Sequence, residues 1–520
     1  MKDKFAYDVI AYPGKIFSQT NPDRLAEMAK IFGMSPPDVE NCRVLELGCG
    51  NGSNLFAQAF VFPSSEFIGI DLSENHIADA KKGVTELNLT NIEFRQIDVM
   101  DMTVQDFGKF DYITAHGLIS WIPDFVRERV FEIYREMLTP NGIGYISYNT
   151  YPGGHIRDMA RRIMRYHTRN TIDPTEKVQK AMTFLAFLVE NSIEKEAIQP
   201  FLMKELERHF DHDTGDIFHD DLAEFYQPLY FYEFVETLEK HGLQFLSESE
   251  IAAISTQIFS PEVRAMIDSL SDIVEREQYL DFVRGRYFRQ TLICHQEVVL
   301  NRQISPAVLR DFYISSPLRP LNENPNLTEG KVEKFVGRKN AGVEIDHPLT
   351  KAALVHLNKI YGNTVDFDEL IANARKILEE SGFQTGDWEK EKNILNQIFW
   401  QMYFSTGLIE VNVKRHQIST DAGDKPKINR LAAWQIHSGN ALSTLLGTSI
   451  RIDDEISHHL IELMDGTRSR TELLESMKTF AESQEDMENK QEFIDKLPVW
   501  LSENIDYSAK MGLFEEVEEV

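Results

Sequence analysis

Short apolar segments alternate with amphipathic segments along the first 150 residues. The apolar segments are 44–47, 67–73, 92–99, 110–117 and 140–149. Each has the length of a buried strand, and the last one begins with a Pro-Asn-Gly turn. Helical periodicity lies between them, for example at 124–137. Strands that alternate with helices at this spacing predict an α/β fold with a doubly wound parallel sheet.

The pattern changes after residue 149. Residues 155–226 show helical periodicity and no convincing strand. A helix is predicted to begin at Asp173, where an N-cap acid precedes a first-turn proline and a capping-box glutamate. The alternation resumes with a helix at 234–242 and strands after it. We therefore predict a helical insert at 155–226 in a sheet domain formed by 1–154 and 227–302.

The C-terminal part shows a different organisation. Residues 303–330 contain four prolines among Asn and Ser, which predicts a linker. Three helical segments and a short strand follow, which predicts an α+β, winged-helix-like domain at 331–430. A second small unit is predicted at 431–520.

Composition and charge restrict the class of protein. The 520 residues contain 83 acidic and 54 basic side chains, a net charge of −29, which argues against nucleic acid as a partner. The three cysteines, at 42, 49 and 294, match neither a disulfide framework nor a zinc spacing. No apolar run is long enough to cross a membrane, and the start has no signal-peptide core. These features predict a cytoplasmic protein without membrane insertion.

A glycine-rich loop joins the first predicted strand to a helix. It reads Glu-Leu-Gly-Cys-Gly-Asn-Gly at 46–52. Glycines there allow a ligand to approach the backbone, and the helix N-terminus behind them favours an anionic group. A dinucleotide-binding loop would place its third glycine at position 53, which is Ser53. Asp71 and Asp98 follow the second and third strands, at the sheet edge where ligands bind.

The segment 46–52 resembles the first motif of class I S-adenosylmethionine-dependent methyltransferases. The resemblance implies a Rossmann-like, seven-stranded sheet with S-adenosyl-L-methionine as cofactor and S-adenosyl-L-homocysteine as product. In that family the loop wraps the methionine part, the acid after the second strand holds the ribose hydroxyls, and the acid after the third reads the adenine edge. The implied cofactor residues are Tyr12, Glu46, Gly48, Cys49, Gly50, Asn51, Gly52, Asp71, Leu72, Asp98, Val99, His116 and Gly117.

A wider resemblance covers most of the chain. The segments 7–34, 115–124, 147–155 and 219–236 resemble bacterial methyltransferases that carry a so-called regulatory domain after the catalytic fold. Among these, the chain is similar to the rickettsial protein lysine methyltransferases of outer-membrane proteins, and 460–477 resembles their winged-helix-like tail. This resemblance implies a protein substrate.

Methyl transfer requires an aligned neutral nucleophile and exclusion of water. A lysine amine, with a pKa of ~10.4, must first lose a proton, and a desolvated aromatic channel favours that loss. The candidate catalytic residues after strands four and five are His116, Trp121, Asn149 and Tyr151. The candidate substrate-binding residues are Tyr7, Tyr226, Tyr230, Phe231 and His219. For each of these residues, ordinary packing in a loop or in the core is the alternative role.

Two further observations bear on the acceptor and on metals. Many enzymes that methylate nucleobases or glutamine carry Asp/Asn-Pro-Pro-Tyr/Phe after the fourth strand, whereas residues 115–118 of this chain read Ala-His-Gly-Leu. This difference argues against a nucleobase as the acceptor. The histidines and aspartates at 209–219 could suggest a metal site, but they include Gly215 and lack a second ligand pair, so a solvated loop is predicted and no metal.

The leading hypothesis is methyl transfer to protein lysines. A small-molecule N- or O-methyltransferase and a non-catalytic cofactor-binding scaffold remain open alternatives. Helical inserts and tails of this kind often pair subunits, so a homodimer is a further expectation. The negative charge would attract a lysine-bearing substrate.

Overall fold

The computed structural model describes residues 6–191, 199–337, 341–383, 387–484 and 489–515, without the side chains of residues 6, 7, 405 and 406. These residues form two compact units. The first contains the residues up to Lys15, then Met28–Leu55 and Ser64–Asn301. The second contains Ile16–Glu27, Phe56–Pro63 and the residues from Arg302 onwards.

A seven-stranded sheet forms the centre of the first unit. Its strands are β1 Arg43–Leu47, β2 Glu66–Asp71, β3 Ile92–Gln96, β4 Phe110–Ala115, β5 Leu138–Asn149, β6 Leu243–Glu248 and β7 Phe288–His295. The order is β3-β2-β1-β4-β5-β7-β6. Strands β1 to β5 run parallel to one another, whereas β7 runs antiparallel to β5 and β6. The predicted seven-stranded, Rossmann-like sheet is confirmed, with this one antiparallel strand.

Helices cover both faces of the sheet and extend beyond it. They are α1 Ala6–Val9, α2 Pro22–Ile31, α3 Ser53–Val61, α4 Glu74–Glu86, α5 Val104–Phe107, α6 Asp124–Met137, α7 Gly154–His167, α8 Pro174–Asn191, α9 Gln199–Arg208, α10 Thr214–Asp216, α11 Phe231–Lys240, α12 Ile251–Ile254, α13 Pro261–Asp268 and α14 Ile273–Arg284. Residues of α6 and α11, such as Phe131 and Phe234, pack with the sheet in one core. The described residues between β5 and α11 are mostly helical, and α7, α8 and α9 have a core of their own.

The second unit combines helices with short strand ribbons. Its helices are α15 Pro348–Lys359, α16 Phe367–Glu380, α17 Trp388–Thr406, α18 Arg430–Gln435, α19 Glu455–Leu463, α20 Arg470–Ser483 and α21 Lys490–Lys510. Its strands are β8 Tyr313–Ser315, β9 Arg319–Pro320, β10 Glu333–Val336, β11 Gly342–Ile345, β12 Val365–Asp366, β13 Glu410–Asn412, β14 Ala441–Ser443 and β15 Ser449–Arg451. They form the sheets β11-β10-β9, β12-β8-β13 and β14-β15.

The segment 303–330 differs from the linker that its prolines predict. Strand β8 is the central strand of its sheet, and Ile314 and Leu318 are fully buried. Pro306 begins a short 3-10 helix, and Pro320 lies in β9 at a sheet edge, where a missing N–H is tolerated. The prolines therefore shape a folded part of the second unit. Across the described residues, no helix combines the length and the apolar character that a bilayer crossing requires.

A buried ammonium group fixes one loop of the second unit. Lys351 on α15 is fully buried, and its Nζ donates to the carbonyl oxygens of Asn326, Thr328 and Lys331 at 2.7–2.8 Å. We expect Lys351→Met to lower the free energy of unfolding of this unit by ~2 kcal/mol, because three carbonyls lose a charged donor. Urea unfolding would measure this loss. The exposed Lys359 of the same helix supplies the control, and equal effects of Lys351→Met and Lys359→Met would contradict the prediction.

Candidate active site

The glycine loop leaves β1 in a conformation that requires glycine. Gly48, Gly50 and Gly52 have φ angles of +74°, +53° and +80°. The amides of Gly48 and Cys49 both donate to the carbonyl oxygen of Ile70 at 2.9 Å. A Cβ at Gly52 would overlap the Phe94 ring. The loop is therefore held against β2 and β3 with its backbone as the exposed feature.

Asp71 couples this loop to the next one. At the end of β2, its Oδ2 accepts from the Gly50 amide at 2.9 Å and its Oδ1 from the Ser73 amide at 2.9 Å. Ser73 caps α4 through its hydroxyl. Each carboxylate oxygen accepts more than one hydrogen bond, so Asp71 can still accept from ligand hydroxyls.

Glu46 lies buried behind the loop. Its Oε1 accepts from Asn54 Nδ2 at 2.7 Å, and its Oε2 has no hydrogen-bond partner among the described residues. Burial, with a further contribution from Asp71, raises the pKa of Glu46 to about 8 although the Asn54 hydrogen bond opposes it. Burial and the charges of Asp71 and Glu46 also raise the thiol pKa of Cys49 well above its usual value. Cys49 is therefore a protonated thiol that fills space.

The adjacent strand ends supply the remaining predicted cofactor residues. Asp98 follows β3 and caps the 3-10 helix Val99–Asp101, with Oδ1 accepting from the Met100 amide at 2.9 Å. Val99 packs against the core, whereas Leu72 is 45% exposed. Acids at the ends of neighbouring strands, an open glycine backbone and the orphaned Glu46 oxygen fit the hydroxyls, adenine and ammonium group of the expected cofactor.

The N-terminal segment of residues 8–15 crosses this edge of the first unit. Gly14 lies against Asn51, whose Oδ1 accepts from the Ser53 amide and hydroxyl. Asp8 accepts from the Ser73 hydroxyl at 2.6 Å, and Lys15 pairs with Asp216 at 2.7 Å.

Tyr12 of this segment lies beside His219. Their ring centroids are 6.0 Å apart, and His219 Nε2 lies 2.6 Å from the Ile10 carbonyl oxygen. His219 is buried, so the structure places it as an anchor for the N-terminal segment and not as an exposed substrate-binding group. The side chain of Tyr7 lies outside the described residues.

His116 follows β4 at the centre of the sheet edge. Its Nδ1 is 2.9 Å from the Tyr145 hydroxyl. Burial, and to a lesser extent the charge of Lys15, lower the pKa of His116 to about 3, so the ring is neutral at physiological pH. The Gly117 amide donates to Ser147 Oγ at 2.7 Å.

Asn149 ends β5 and is almost fully buried. Its Oδ1 accepts from Arg157 Nη1 at 3.1 Å, and its Nδ2 has no partner among the described residues. Arg157 in turn lies 3.4 Å from Asp220 and 3.3 Å from Asp221. Sequence reasoning missed Arg157. The signal that could have identified it is its position, because it is an arginine at the start of the predicted helical insert, directly after the segment 147–155.

Trp121 and Tyr226, which the sequence placed among the catalytic and the substrate-binding candidates, lie side by side with ring centroids 5.2 Å apart. Two arginine side chains of the same chain, however, already lie over these rings. The Arg161 guanidinium lies 5.1 Å from the Trp121 ring and 4.4 Å from the Tyr226 ring, and that of Arg157 lies 5.4 Å and 6.0 Å away. This pair is therefore already occupied by internal cation–π contacts.

Tyr151 and Tyr230 also meet, with centroids 5.1 Å apart. The neighbouring Phe231 does not join them. It is fully buried against Phe245 and under the Arg289 guanidinium, which lies 4.0 Å from its ring. The prediction that Phe231 lines a substrate wall is wrong, because successive residues at the start of a helix face different directions.

The predicted solvated loop at 209–219 is instead partly buried. His209 and Asp221 are fully buried, with His209 Nε2 3.3 Å from Asp221 Oδ1, and His212 Nδ1 lies 3.8 Å from Asp221 Oδ2. Burial would raise the pKa of Asp221, but His209, His212 and Arg157 together lower it below its usual range. In the part of the chain that the structure describes, no group of three or more His, Cys, Asp or Glu side chains is arranged to hold a metal.

Three family models match this chain, and the first two overlap at residues 213–249. A methyltransferase domain matches residues 38–249, a "predicted methyltransferase regulatory domain" matches 213–295, and a "PKMT, C-terminal winged helix domain" matches 424–495. The regulatory model thus begins in the helical region before α11 and ends with β7.

Relatives and solved structures agree with these models. A Rickettsia prowazekii protein, RP789, is 33% identical over 444 residues, which cover 83% of this chain and 78% of that protein. A second protein of that organism, RP028, is 33% identical over 247 residues, 47% of this chain and 98% of its own. The structure of PKMT2 from Rickettsia typhi, also solved in complex with AdoHcy, is 26% identical with a TM-score of 0.86 and covers 97% of this chain and 99% of its own.

The glycine loop, the two strand-end acids and the domain order therefore have one explanation. The chain belongs to the class I S-adenosylmethionine-dependent methyltransferases that carry a regulatory domain and a PKMT-type C-terminal winged helix domain, and S-adenosylmethionine is its cofactor.

Proposed function

We propose that this methyltransferase acts on lysine side chains of protein substrates. The observation that carries the proposal is the likeness to PKMT2, which extends over 97% of this chain and 99% of that one. A likeness of that extent includes the second unit as well as the methyltransferase sheet. The sequence resembles the rickettsial protein lysine methyltransferases in the same segments around β4 and β5 that would face an acceptor.

The residues at the carboxyl ends of β1, β2 and β3 would hold the cofactor. The glycine loop and Glu46 suit its methionine part, Asp71 suits the ribose hydroxyls, and Asp98 with Val99 suits the adenine. When bound, S-adenosylmethionine supplies a methyl group that a sulfonium makes electrophilic. Segment 8–15, with Tyr12 held by His219, would cover this edge and exclude water.

The acceptor amine must be neutral when it reacts. Neutral His116, with its pKa lowered to about 3, is too weak a base to take a proton from an ammonium group of pKa ~10.4. We assign it a positioning role through Tyr145. Positive charge near an amine lowers its pKa, and the Arg161 guanidinium beside Trp121 would supply such charge. The charge of Arg157, in contrast, is balanced by Asp220 and Asp221. In this proposal the lysine amine loses its proton to solvent as it enters the acceptor site.

The remaining catalytic candidates receive supporting roles. Asn149, with one amide nitrogen unpartnered among the described residues, would donate a hydrogen bond at the acceptor end of β5. Trp121 would hold Arg161, and Tyr151 would begin the path by which the acceptor approaches. The homodimer that the sequence suggests remains a prediction.

Transfer of labelled methyl groups tests the proposed function. The protein is incubated with radiolabelled S-adenosylmethionine and a bacterial protein extract, and labelled bands are digested and sequenced by mass spectrometry. We expect label on lysine side chains, at least tenfold above the signal of an Asp71→Asn variant. Label confined to the small-molecule fraction would contradict the proposal and favour a small-metabolite acceptor, and cofactor binding without any label would favour a scaffold.

A further inference from the structure

A second group of aromatic side chains in the first unit begins at Tyr151. It consists of Tyr151, His155, Tyr230, Tyr232, Tyr279 and Phe282, here called the aromatic surface. Tyr151 stacks on His155 at 4.0 Å, and Tyr230 lies 5.1 Å from Tyr151.

The group continues from Tyr230 across two helices. Tyr230 lies 5.7 Å from Tyr232 and 6.3 Å from Phe282, and Tyr279 is 5.9 Å from Phe282. Helices α11 and α14 thus extend a row of rings outward from the end of β5.

Exposure distinguishes this group from a core. Tyr232, Tyr279 and Phe282 are 42%, 39% and 49% exposed. Large apolar side chains exposed as one contiguous group mark binding surfaces more often than single exposed ones do. Position adds to this, because Tyr151 is only two residues beyond Asn149, the last residue of β5.

The two aromatic groups of the first unit differ in their cations. Trp121 and Tyr226 are covered by Arg157 and Arg161, as described above. Among the described residues, no lysine or arginine lies over a ring of the aromatic surface. Its rings are therefore available for a cation from outside the chain.

Carboxylates lie near two of these rings, those of Tyr151 and Tyr232. The charges of Glu233 and Glu236 contribute to raising the pKa of the Tyr232 hydroxyl, Glu233 first, and Asp158 and Glu233 add to the effect of burial on Tyr151. Asp158 is paired with the exposed Arg162. Glu233 and Glu236 take part in no ion pair within the described residues. The carboxylates of Glu233 and Glu236 beside these tyrosines therefore suit a basic partner.

We propose that the aromatic surface binds the basic segment that flanks the target lysine in an extended protein substrate. The inference rests on the proposed function and identifies the docking surface and the chemistry it prefers: arginine or lysine side chains with apolar neighbours. Extended peptides present side chains on alternate sides, so flanking residues can contact the rings while the target lysine reaches the end of β5.

The test uses two synthetic 15-residue peptides with one central lysine, flanked by arginine and leucine in the first and by glutamate and leucine in the second. The variant is Tyr232→Ala/Phe282→Ala, and the matched control is Tyr507→Ala, an aromatic residue of α21 that is 54% exposed. Peptide binding is measured by fluorescence anisotropy, methyl transfer by mass spectrometry, and S-adenosylhomocysteine binding by calorimetry.

We expect the wild-type chain to bind the arginine peptide at least tenfold more tightly than the glutamate peptide. The double variant should raise Kd and KM for the arginine peptide about tenfold and leave kcat and the affinity for S-adenosylhomocysteine unchanged. Tyr507→Ala should change none of these values.

Three outcomes would overturn the inference. They are equal affinity for the two peptides, an unchanged Kd in the double variant, and a change of the double variant from dimer to monomer in sedimentation, which would assign the surface to a second copy. Failure of the proposed function is distinct: the arginine peptide would bind through the surface, yet its lysine would remain unmethylated.

Discussion

Replacing Asp71 by asparagine should lower the affinity for S-adenosylhomocysteine about 100-fold. Asparagine keeps the size of the side chain but replaces one acceptor oxygen by a donor. Either the Gly50 amide or the Ser73 amide then loses its acceptor, and the ribose hydroxyls lose a charged one. Charge-assisted hydrogen bonds contribute ~1.5 kcal/mol or more each, and two of them correspond to about two powers of ten in Kd.

Isothermal titration calorimetry measures this effect, and urea unfolding shows whether the variant is folded. Asp101→Asn is the matched control, because Asp101 is an exposed carboxylate in the 3-10 helix that Asp98 caps. A Kd for Asp71→Asn within threefold of wild type would contradict the assignment of Asp71 to the cofactor. A similar loss in both variants would indicate a general effect of charge.

The sheet could be predicted from sequence because its signals are local. A strand buried on both faces requires a continuous apolar run, and a loop with three positive φ angles requires glycines at fixed spacing. The acids at 71 and 98 were found because parallel strands end at one edge. These parts of the fold and site depend on neighbours in the chain.

The parts that sequence reasoning missed depend on distant pairs. Nothing within the segment 219–236 shows that Tyr226 is covered by Arg161, 65 residues earlier, or that His219 holds the carbonyl of Ile10. Phe231 and Tyr232 differ by one position, yet one is buried and the other exposed, because the orientation of α11 against the sheet decides which is which. Composition also overstated the flexibility of the proline-rich segment 303–330.

The same dependence on distant pairs applies to a fully buried arginine of the first unit, which the sequence analysis did not identify. Arg289 on β7 is fully buried, and its guanidinium lies 2.6 Å from Glu248, 2.8 Å from Asp281 and 3.3 Å from Glu277. Arg289→Met should lower the free energy of unfolding at pH 8 by ~4 kcal/mol. Removing one partner leaves buried carboxylates uncompensated, and such losses reach ~3–5 kcal/mol. Arg286, 3.1 Å from Asp281, limits the loss.

The pH dependence distinguishes uncompensated charge from lost packing. In the wild type, burial raises the pKa of Asp281 to about 6, whereas Glu248 has a lowered pKa because Arg289 and Arg286 outweigh its burial. Without Arg289, the pKa of Asp281 should rise further above its unfolded value of ~4, and the pKa of Glu248 should rise from below its unfolded value to above it, because burial is then less opposed. The folded variant then binds more protons than the unfolded chain, so its stability falls as pH rises through that range.

The stability difference between Arg289→Met and wild type should therefore shrink by at least half from pH 8 to pH 5. Urea unfolding at both pH values measures it, with Arg162→Met as control because Arg162 is 79% exposed and its pairing with Asp158 contributes little. If the stability difference is the same at both pH values, Arg289→Met destabilises the protein through poorer packing of the methionine side chain and not through uncompensated charge. The ion pairs of Arg289 with the buried carboxylates would then contribute little to the free energy of unfolding, which would contradict the prediction.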